Sequence, residues 1–150
     1  TAKGEPRYMN YESLSDGGFA TGSMLGSGGF IVLDEDQCIV KNTYTLARFY
    51  RHESCGQCSP CREGTGWMEK ILQKIETGKG EMSDIDLLWD IQRKIEGNTI
   101  CPLGDAASWP VAAAIRHFRD EFEWHVKNPE LSQTSNFGLQ HYADPIHVPA

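Results

Sequence analysis

The residues of this sequence whose types and spacing could do chemistry are its cysteines. The 150-residue chain has five, and three of them, Cys55, Cys58 and Cys61, occur at every third position. Such a C-x2-C-x2-C segment can place three thiolates around one compact object, and an iron–sulfur cubane needs four thiolate ligands. Cys101, which is followed by Pro102, can provide the fourth. These four cysteines are the candidate metal-binding residues, and a [4Fe–4S] cluster is the expected cofactor.

The residues that follow Cys58 predict an environment that stabilises a thiolate. Ser59 is the expected N-cap of a helix and Pro60 its first residue, which would place Cys61 in the first turn. There the free backbone N–H groups and the positive end of the helix dipole favour a negative sulfur. Arg62 adds a positive charge next to the expected site.

Two other uses of these cysteines remain open at the level of the residues. Zinc could be held by the four cysteines, or by His52 with three of them, but structural zinc more often uses two C-x2-C pairs. The second pair is missing here, so the spacing favours the cubane. A thioredoxin-like dithiol would use Cys55 and Cys58, but it leaves Cys61 without a role and no βαβ unit surrounds it.

The remaining cysteine and two histidines are assigned to packing. Cys38 stands alone and is predicted to be a small buried hydrophobe. His117 and His125 are eight residues apart in a predicted helix, with no metal-binding pattern of acidic residues around them. No arrangement of residues supports hydrolysis.

Charge and composition exclude several classes of partner. Fourteen Lys and Arg against 21 Asp and Glu give a net charge of −7, which argues against binding to a nucleic-acid backbone. The longest wholly apolar run, residues 111–115, is too short to span a bilayer, so no direct membrane insertion is expected. The N-terminus has no apolar signal segment, which predicts a cytoplasmic setting with reduced thiols. Because the chain does not begin with Met, we expect a fragment or a processed product.

The elements that must position the cysteines fall into three predicted parts. Residues 1–41 are rich in turns and β-formers, with a buried strand over residues 30–33 and a second short strand at residues 38–40. Residues 42–127 carry four apolar stripes at helical spacing and predict a small helical bundle. Residues 128–150 lack periodicity and predict an extended or disordered tail.

The first two predicted helices cover residues 43–52 and 60–77. The third is predicted to begin near Ser83 and the fourth near Ser108. The positions expected to face the core are Leu46, Phe49, Tyr50, Trp67, Met68, Ile71, Leu72, Ile75, Leu87, Leu88, Ile91, Ile95, Val111, Ala114, Ile115, Phe118, Phe122 and Val126. Two helices between Cys61 and Cys101 would carry the chain out and back, so a hairpin would return Cys101 to the triplet.

Three segments resemble one known family, the NADH-binding flavoprotein subunit of respiratory complex I. Residues 53–64, ESCGQCSPCREG, are similar to its cluster loop, and residues 100–107, ICPLGDAA, to its fourth-ligand segment. Residues 24–32, MLGSGGFIV, are similar to the stretch that precedes them. The motifs occur in the family's order, and related subunits of NAD-linked hydrogenases and formate dehydrogenases share them.

The resemblance implies an α+β fold in which residues 1–41 end a β-grasp domain and residues 42–127 form a four-helix bundle. That bundle would hold a [4Fe–4S] cluster through Cys55, Cys58, Cys61 and Cys101. FMN and NADH would bind an upstream half of the same subunit, and single electrons would pass from reduced FMN to partner iron–sulfur subunits. The implied partners are that flavin half, a thioredoxin-like [2Fe–2S] subunit and a large iron–sulfur subunit, in the peripheral arm of a membrane-bound complex.

Overall fold

The computed structural model of the chain describes residues 31–33 and 37–130. The chain divides into two units, residues 1–33 and 34–150, and the described part of the second consists of four helices. They are α1 (Ile39–Glu53), α2 (Ser59–Glu76), α3 (Met82–Ile95) and α4 (Leu103–Lys127). The predicted helical bundle is therefore confirmed. Most of the predicted β-rich part, and the predicted tail from residue 131 on, lie outside the described residues.

Both predicted strands are wrong where the structure describes them. Ile31, Val32 and Leu33 are exposed and form no strand. Residues 38–40 begin a helix, because the Cys38 sulfur accepts the Lys41 N–H at 3.3 Å and so caps α1. The β-branched residues at this point suggested a strand, but packing in the bundle overrides such local preferences.

The four helices pack as an antiparallel bundle. Each helix contacts the next along the chain, and α1 also packs against α4. Fully buried side chains from all four helices form the core, among them Val40, Met68, Leu72, Ile75, Ile85, Leu88, Ile95, Val111 and Phe122. At the crossing of α2 and α3, a Cβ added to Gly64 would lie 2.6 Å from Ile95 Cδ1, so glycine permits this close approach. Among the described residues, no helix is both long and apolar enough to cross a membrane.

All four helices begin earlier than the sequence predicts, and the last two show why. Helix α3 begins at Met82, because Glu81 and Asp84 form a reciprocal capping box in which the Glu81 N–H donates to Asp84 Oδ2 at 2.7 Å. Helix α4 begins at Leu103, five residues before the predicted start at Ser108, so that Pro110 lies inside the helix. Ser83 and Ser108, where the sequence predicts these two helices to begin, therefore both lie inside the helices.

Some apolar residues predicted to face the core are exposed instead: Phe49, Trp67, Leu87 and Phe118. Trp67 and Leu87 each precede a fully buried neighbour, and adjacent residues on a helix point about 100° apart. Phe118 has non-helical dihedral angles (φ −133°, ψ 30°) that mark a kink in α4. Beyond this kink the buried positions are Glu121, Phe122 and His125.

Candidate metal centre

The cysteine triplet runs from the loop between α1 and α2 into the first turn of α2. The turn of this loop depends on Gly56, which has φ of +77°, a left-handed conformation that side-chain-bearing residues adopt only at a cost. Helix α2 begins at Ser59, one residue earlier than predicted, so that Cys58 is its N-cap and Cys61 its third residue. Cys61 therefore lies in the first turn, where free N–H groups favour a negative sulfur.

The segment that contains Cys101 lies against this loop. The hairpin of α2 and α3 returns the chain, and the Ile100 N–H donates to Cys58 Sγ at 3.4 Å. The turn is tight, because a Cβ added to Gly104 would lie 2.4 Å from Thr99 Oγ1. Thr99 Oγ1 in turn donates to the Cys101 carbonyl at 2.9 Å. The fold thus brings the fourth candidate ligand to the end of the bundle that holds the triplet.

A small set of polar contacts holds the cysteine loop in place. Ser54 Oγ lies 3.2 Å from Cys61 Sγ and accepts the Gly56 N–H at 3.3 Å. The Arg62 guanidinium donates to the Gly56 carbonyl at 3.0 Å and to Ser59 Oγ at 3.3 Å. Arg62 therefore braces the loop in addition to placing a positive charge beside it.

The backbone contributes positive potential at this end of the bundle. Two helices, α2 and α4, have their N-termini here, with Cys61 inside the first turn of one and Cys101 two residues before the other. Helix N-termini carry a partial positive charge that favours anionic ligands. The nearby Arg51 pairs with Glu69 on α2, and Arg62 also pairs with Glu63 at 2.9 Å.

The donor set fits an iron–sulfur cluster better than a single zinc ion. All four cysteines are free thiols. Sulfurs around one tetrahedral zinc lie about 3.8 Å apart, since each Zn–S bond is about 2.3 Å. No three of these four sulfurs lie within 4.8 Å of one another in the described structure. A cubane places an iron in front of each thiolate, so it accepts ligands that are farther apart. His52, the alternative zinc ligand, is exposed with its Nε2 4.0 Å from Glu53 Oε1.

Burial differs among the four cysteines. Cys61 is buried, Cys58 is half-buried, and Cys55 and Cys101 are exposed. Ile100, beside Cys101, is 86% exposed, which is unusual for a large apolar side chain. In the described structure this end of the bundle therefore presents part of the candidate site to its surroundings.

A second cluster of potential ligands was not predicted from the sequence. Cys38, Glu76 and His125 converge at the opposite end of the bundle, with one ligand atom of each within 4.8 Å of the others. Cys38 is buried, as predicted, but it contacts His125 instead of only apolar groups. The three residues are far apart in the sequence, so no local spacing marks them. The one available signal is that His125 follows the buried Phe122 by three residues, on the same helix face.

Comparison with known proteins identifies what this arrangement resembles. Residues 41–125 match the family described as the NADH-ubiquinone oxidoreductase-F iron-sulfur binding region. The chain is 48% identical over 120 residues to the F subunit of the NADH-quinone oxidoreductase of Rickettsia typhi. This alignment covers 80% of the chain and 28% of that protein. It is 44% identical over 128 residues to an F subunit of the NADH-quinone oxidoreductase of Rhizobium meliloti, covering 85% and 29% respectively. The chain thus spans less than a third of these relatives.

A solved structure supports the same relationship. A chain of an NAD+-reducing [NiFe]-hydrogenase in the H2-reduced state aligns with a TM-score of 0.61 and 35% sequence identity. The alignment covers 63% of this chain and 16% of the hydrogenase chain. The related bundle is therefore a small part of a larger protein in that structure as well.

Proposed function

This chain belongs to the family of the NADH-ubiquinone oxidoreductase-F iron-sulfur binding region, and we propose that it is the electron-transfer portion of an NADH-quinone oxidoreductase flavoprotein subunit. The family's cofactor is a [4Fe–4S] cluster. In the complete subunit this portion relays single electrons from reduced FMN to partner iron–sulfur subunits. The contact between the Ile100 N–H and Cys58 Sγ carries the proposal, because it places the Cys101 segment beside the triplet.

Four thiolates hold the cluster in this proposal: Cys55, Cys58, Cys61 and Cys101. When bound, the cluster supplies a one-electron redox centre. The Ile100 N–H stabilises the charge on the Cys58 sulfur, and the Ser54 hydroxyl donates to the Cys61 sulfur once that thiol has lost its proton.

The exposed side of the site suits the exchange of electrons with neighbouring groups. Cys55 and Cys101 lie at the surface of the described bundle, whereas Cys61 lies beneath them. In the complete subunit we place the flavin half and its NADH site upstream, followed by a β-grasp domain that ends before α1. The partners on this side would be a thioredoxin-like [2Fe–2S] subunit and a large iron–sulfur subunit, in the peripheral arm of the complex.

The likeness to the hydrogenase chain gives a second candidate assembly, because the same bundle occurs in an NAD+-reducing enzyme. The identity of 48% to the Rickettsia typhi protein, against 35% to the hydrogenase chain, favours the NADH-quinone oxidoreductase.

Rapid-mixing kinetics on the complete subunit with its partners test the electron relay. In the Cys101→Ser variant, NADH should still bleach the flavin at the wild-type rate, whereas reduction of the partner clusters should slow at least about tenfold. The Arg93→Gln variant, which changes an exposed residue on α3, serves as the control and should leave both rates unchanged. Wild-type rates for the partner clusters in Cys101→Ser would overturn the proposal.

A further inference from the structure

We propose that Cys38, Glu76 and His125 form a second metal site, which binds one divalent cation of the zinc class. The Cys38 sulfur, a Glu76 carboxylate oxygen and a His125 ring nitrogen all lie within 4.8 Å of one another. The site goes beyond the proposed electron relay and does not depend on it.

The three side chains come from three helix ends that meet. Cys38 caps the N-terminus of α1, Glu76 is the last residue of α2, and His125 lies in the last turn of α4. The C-termini of α2 and α4 carry partial negative charge, which favours a cation. The Lys41 N–H at the start of α1 donates to the Cys38 sulfur at 3.3 Å and would stabilise a thiolate. The backbone thus supports both the anionic ligand and the cation.

The distance between the sulfur and the imidazole is close to the one that a tetrahedral ion requires. Cys38 Sγ lies 3.2 Å from His125 Nε2. On a tetrahedral zinc with ordinary bond lengths, a sulfur and a nitrogen ligand lie about 3.6 Å apart, so this pair needs a shift of only a few tenths of an ångström. The Glu76 carboxylate oxygen lies within 4.8 Å of both atoms. One sulfur, one imidazole nitrogen and one carboxylate oxygen are a set that zinc, cobalt and similar ions accept and that magnesium or calcium disfavour.

Burial without full compensation is the second observation that points to a cation. The sulfur and the imidazole are buried, and His125 is completely inaccessible to solvent. Glu76 Oε2 is also buried and has no hydrogen-bond donor among the described residues, with His125 Nδ1 4.0 Å away. A buried carboxylate oxygen without a donor is costly, and a bound cation would remove that cost. A second carboxylate, Glu121, lies at the same place and accepts the Ile39 N–H at 2.7 Å.

Without a cation, burial shifts Cys38 and Glu76 towards their neutral forms. Burial raises the pKa of the Cys38 thiol, and Glu121 and Glu76 raise it further. Burial likewise raises the pKa of Glu76 to about 7, although Lys41 opposes that shift. Binding of a divalent cation would release the thiol proton, and any proton held by Glu76, to the solvent while the metal–ligand bonds form. No electron is transferred in this step.

The second site is well separated from the four cysteines. Helix α2 has 18 residues and carries Cys61 near its start and Glu76 at its end. At about 1.5 Å of rise per residue, the two sites lie roughly 20–25 Å apart. A substitution at one site can therefore be judged independently of the metal content of the other.

Zinc binding to the untagged, anaerobically prepared chain with its cluster in place tests the proposal. The chain is equilibrated with one equivalent of Zn2+ and dialysed, and its zinc is measured by mass spectrometry and by zinc X-ray absorption. The wild type and the control His117→Asn, which changes another histidine of α4, should each retain about one zinc. The absorption spectrum should show one sulfur neighbour and otherwise nitrogen or oxygen. Cys38→Ser and His125→Asn should lose the zinc and keep their iron.

Several outcomes would overturn the second site. These are a wild type that retains no zinc, equal zinc in His125→Asn and His117→Asn, or a spectrum with three or four sulfur neighbours, which would place zinc at the other cysteines. If Cys38→Ser and His125→Asn do not fold, Glu76→Gln provides the test, because Glu76 lies at the partly exposed edge of the cluster. It should weaken zinc binding at least about tenfold, and unchanged affinity would refute the site.

Discussion

The close contact between α2 and α3 at Gly64 allows a quantitative test of how the bundle positions its cysteine loop. Gly64 is buried one turn after the cysteine triplet, and an added Cβ would lie 2.6 Å from Ile95 Cδ1 and 2.7 Å from Ile95 Cγ1. Gly66 lies in the same helix, and its added Cβ would meet only Arg51 Nε at 3.7 Å. The two glycines therefore form a matched pair that differs in packing.

Gly66→Ala should stabilise the chain, because alanine in a helix interior is favoured over glycine by about 1 kcal/mol. Gly64→Ala gains the same preference but overpacks the contact with Ile95, which costs about 1–3 kcal/mol. The free energy of unfolding should therefore be about 1–3 kcal/mol lower for Gly64→Ala than for Gly66→Ala. For a domain of this size, each kcal/mol corresponds to roughly 4–8 °C in the midpoint temperature.

Thermal and urea unfolding, followed by circular dichroism under reducing and anaerobic conditions, measure this difference. Combining Gly64→Ala with Ile95→Val, which removes Cδ1, should recover part of the loss, so that the two changes couple by about 1 kcal/mol. Equal stabilisation by both alanine substitutions, together with no coupling to Ile95→Val, would refute the proposed close contact of α2 and α3.

Three further pairs of substitutions test the loop and the core. Gly56→Ala should lower the free energy of unfolding by about 1–2 kcal/mol and speed iron loss, because Gly56 has a left-handed φ. Gly56→Asn should cost less, because asparagine tolerates that conformation better than alanine. Denaturant unfolding and iron assays measure both effects. Arg62→Gln removes the hydrogen bond from Arg62 to the Gly56 carbonyl and should speed cluster loss in air, whereas Arg93→Gln should not. The decay of visible absorbance measures the rate of cluster loss in both variants. Phe122→Ala should cost about 3–5 kcal/mol in urea unfolding, and Phe118→Ala well under half of that, since Phe122 is fully buried and Phe118 is 42% exposed. Equal costs for the two phenylalanines would contradict this difference in burial.

The general architecture could be predicted from the sequence because its signals are local. The apolar stripes at helical spacing identified four helices, and Gly78 and Gly97, each with φ of +72°, mark helix ends that the pattern alone indicates. The C-x2-C-x2-C spacing likewise identified three of the four candidate ligands without any knowledge of the fold. These features depend on residues that are close in sequence.

The errors concern features that depend on distant residues. The start of α1 at Ile39 depends on packing against α4, including the bond from the Ile39 N–H to Glu121, 82 residues away. The exposure of Phe118 depends on a kink that the periodic pattern does not reveal. The convergence of Cys38, Glu76 and His125 depends on three helix ends that only the folded bundle brings together. No short window of the sequence contains more than one of these three residues.

Elemental analysis combined with electron paramagnetic resonance of the anaerobically prepared chain tests most directly whether the four cysteines hold one cluster. The wild type and Cys38→Ser should each contain iron and acid-labile sulfide at roughly four of each per chain, and dithionite should produce the signal of a reduced [4Fe–4S] cluster. Cys101→Ser should lose iron and that signal. The assignment is contradicted if Cys101→Ser matches the wild type in iron, sulfide and reduced-state signal, or if the wild type holds one zinc at these cysteines and no sulfide.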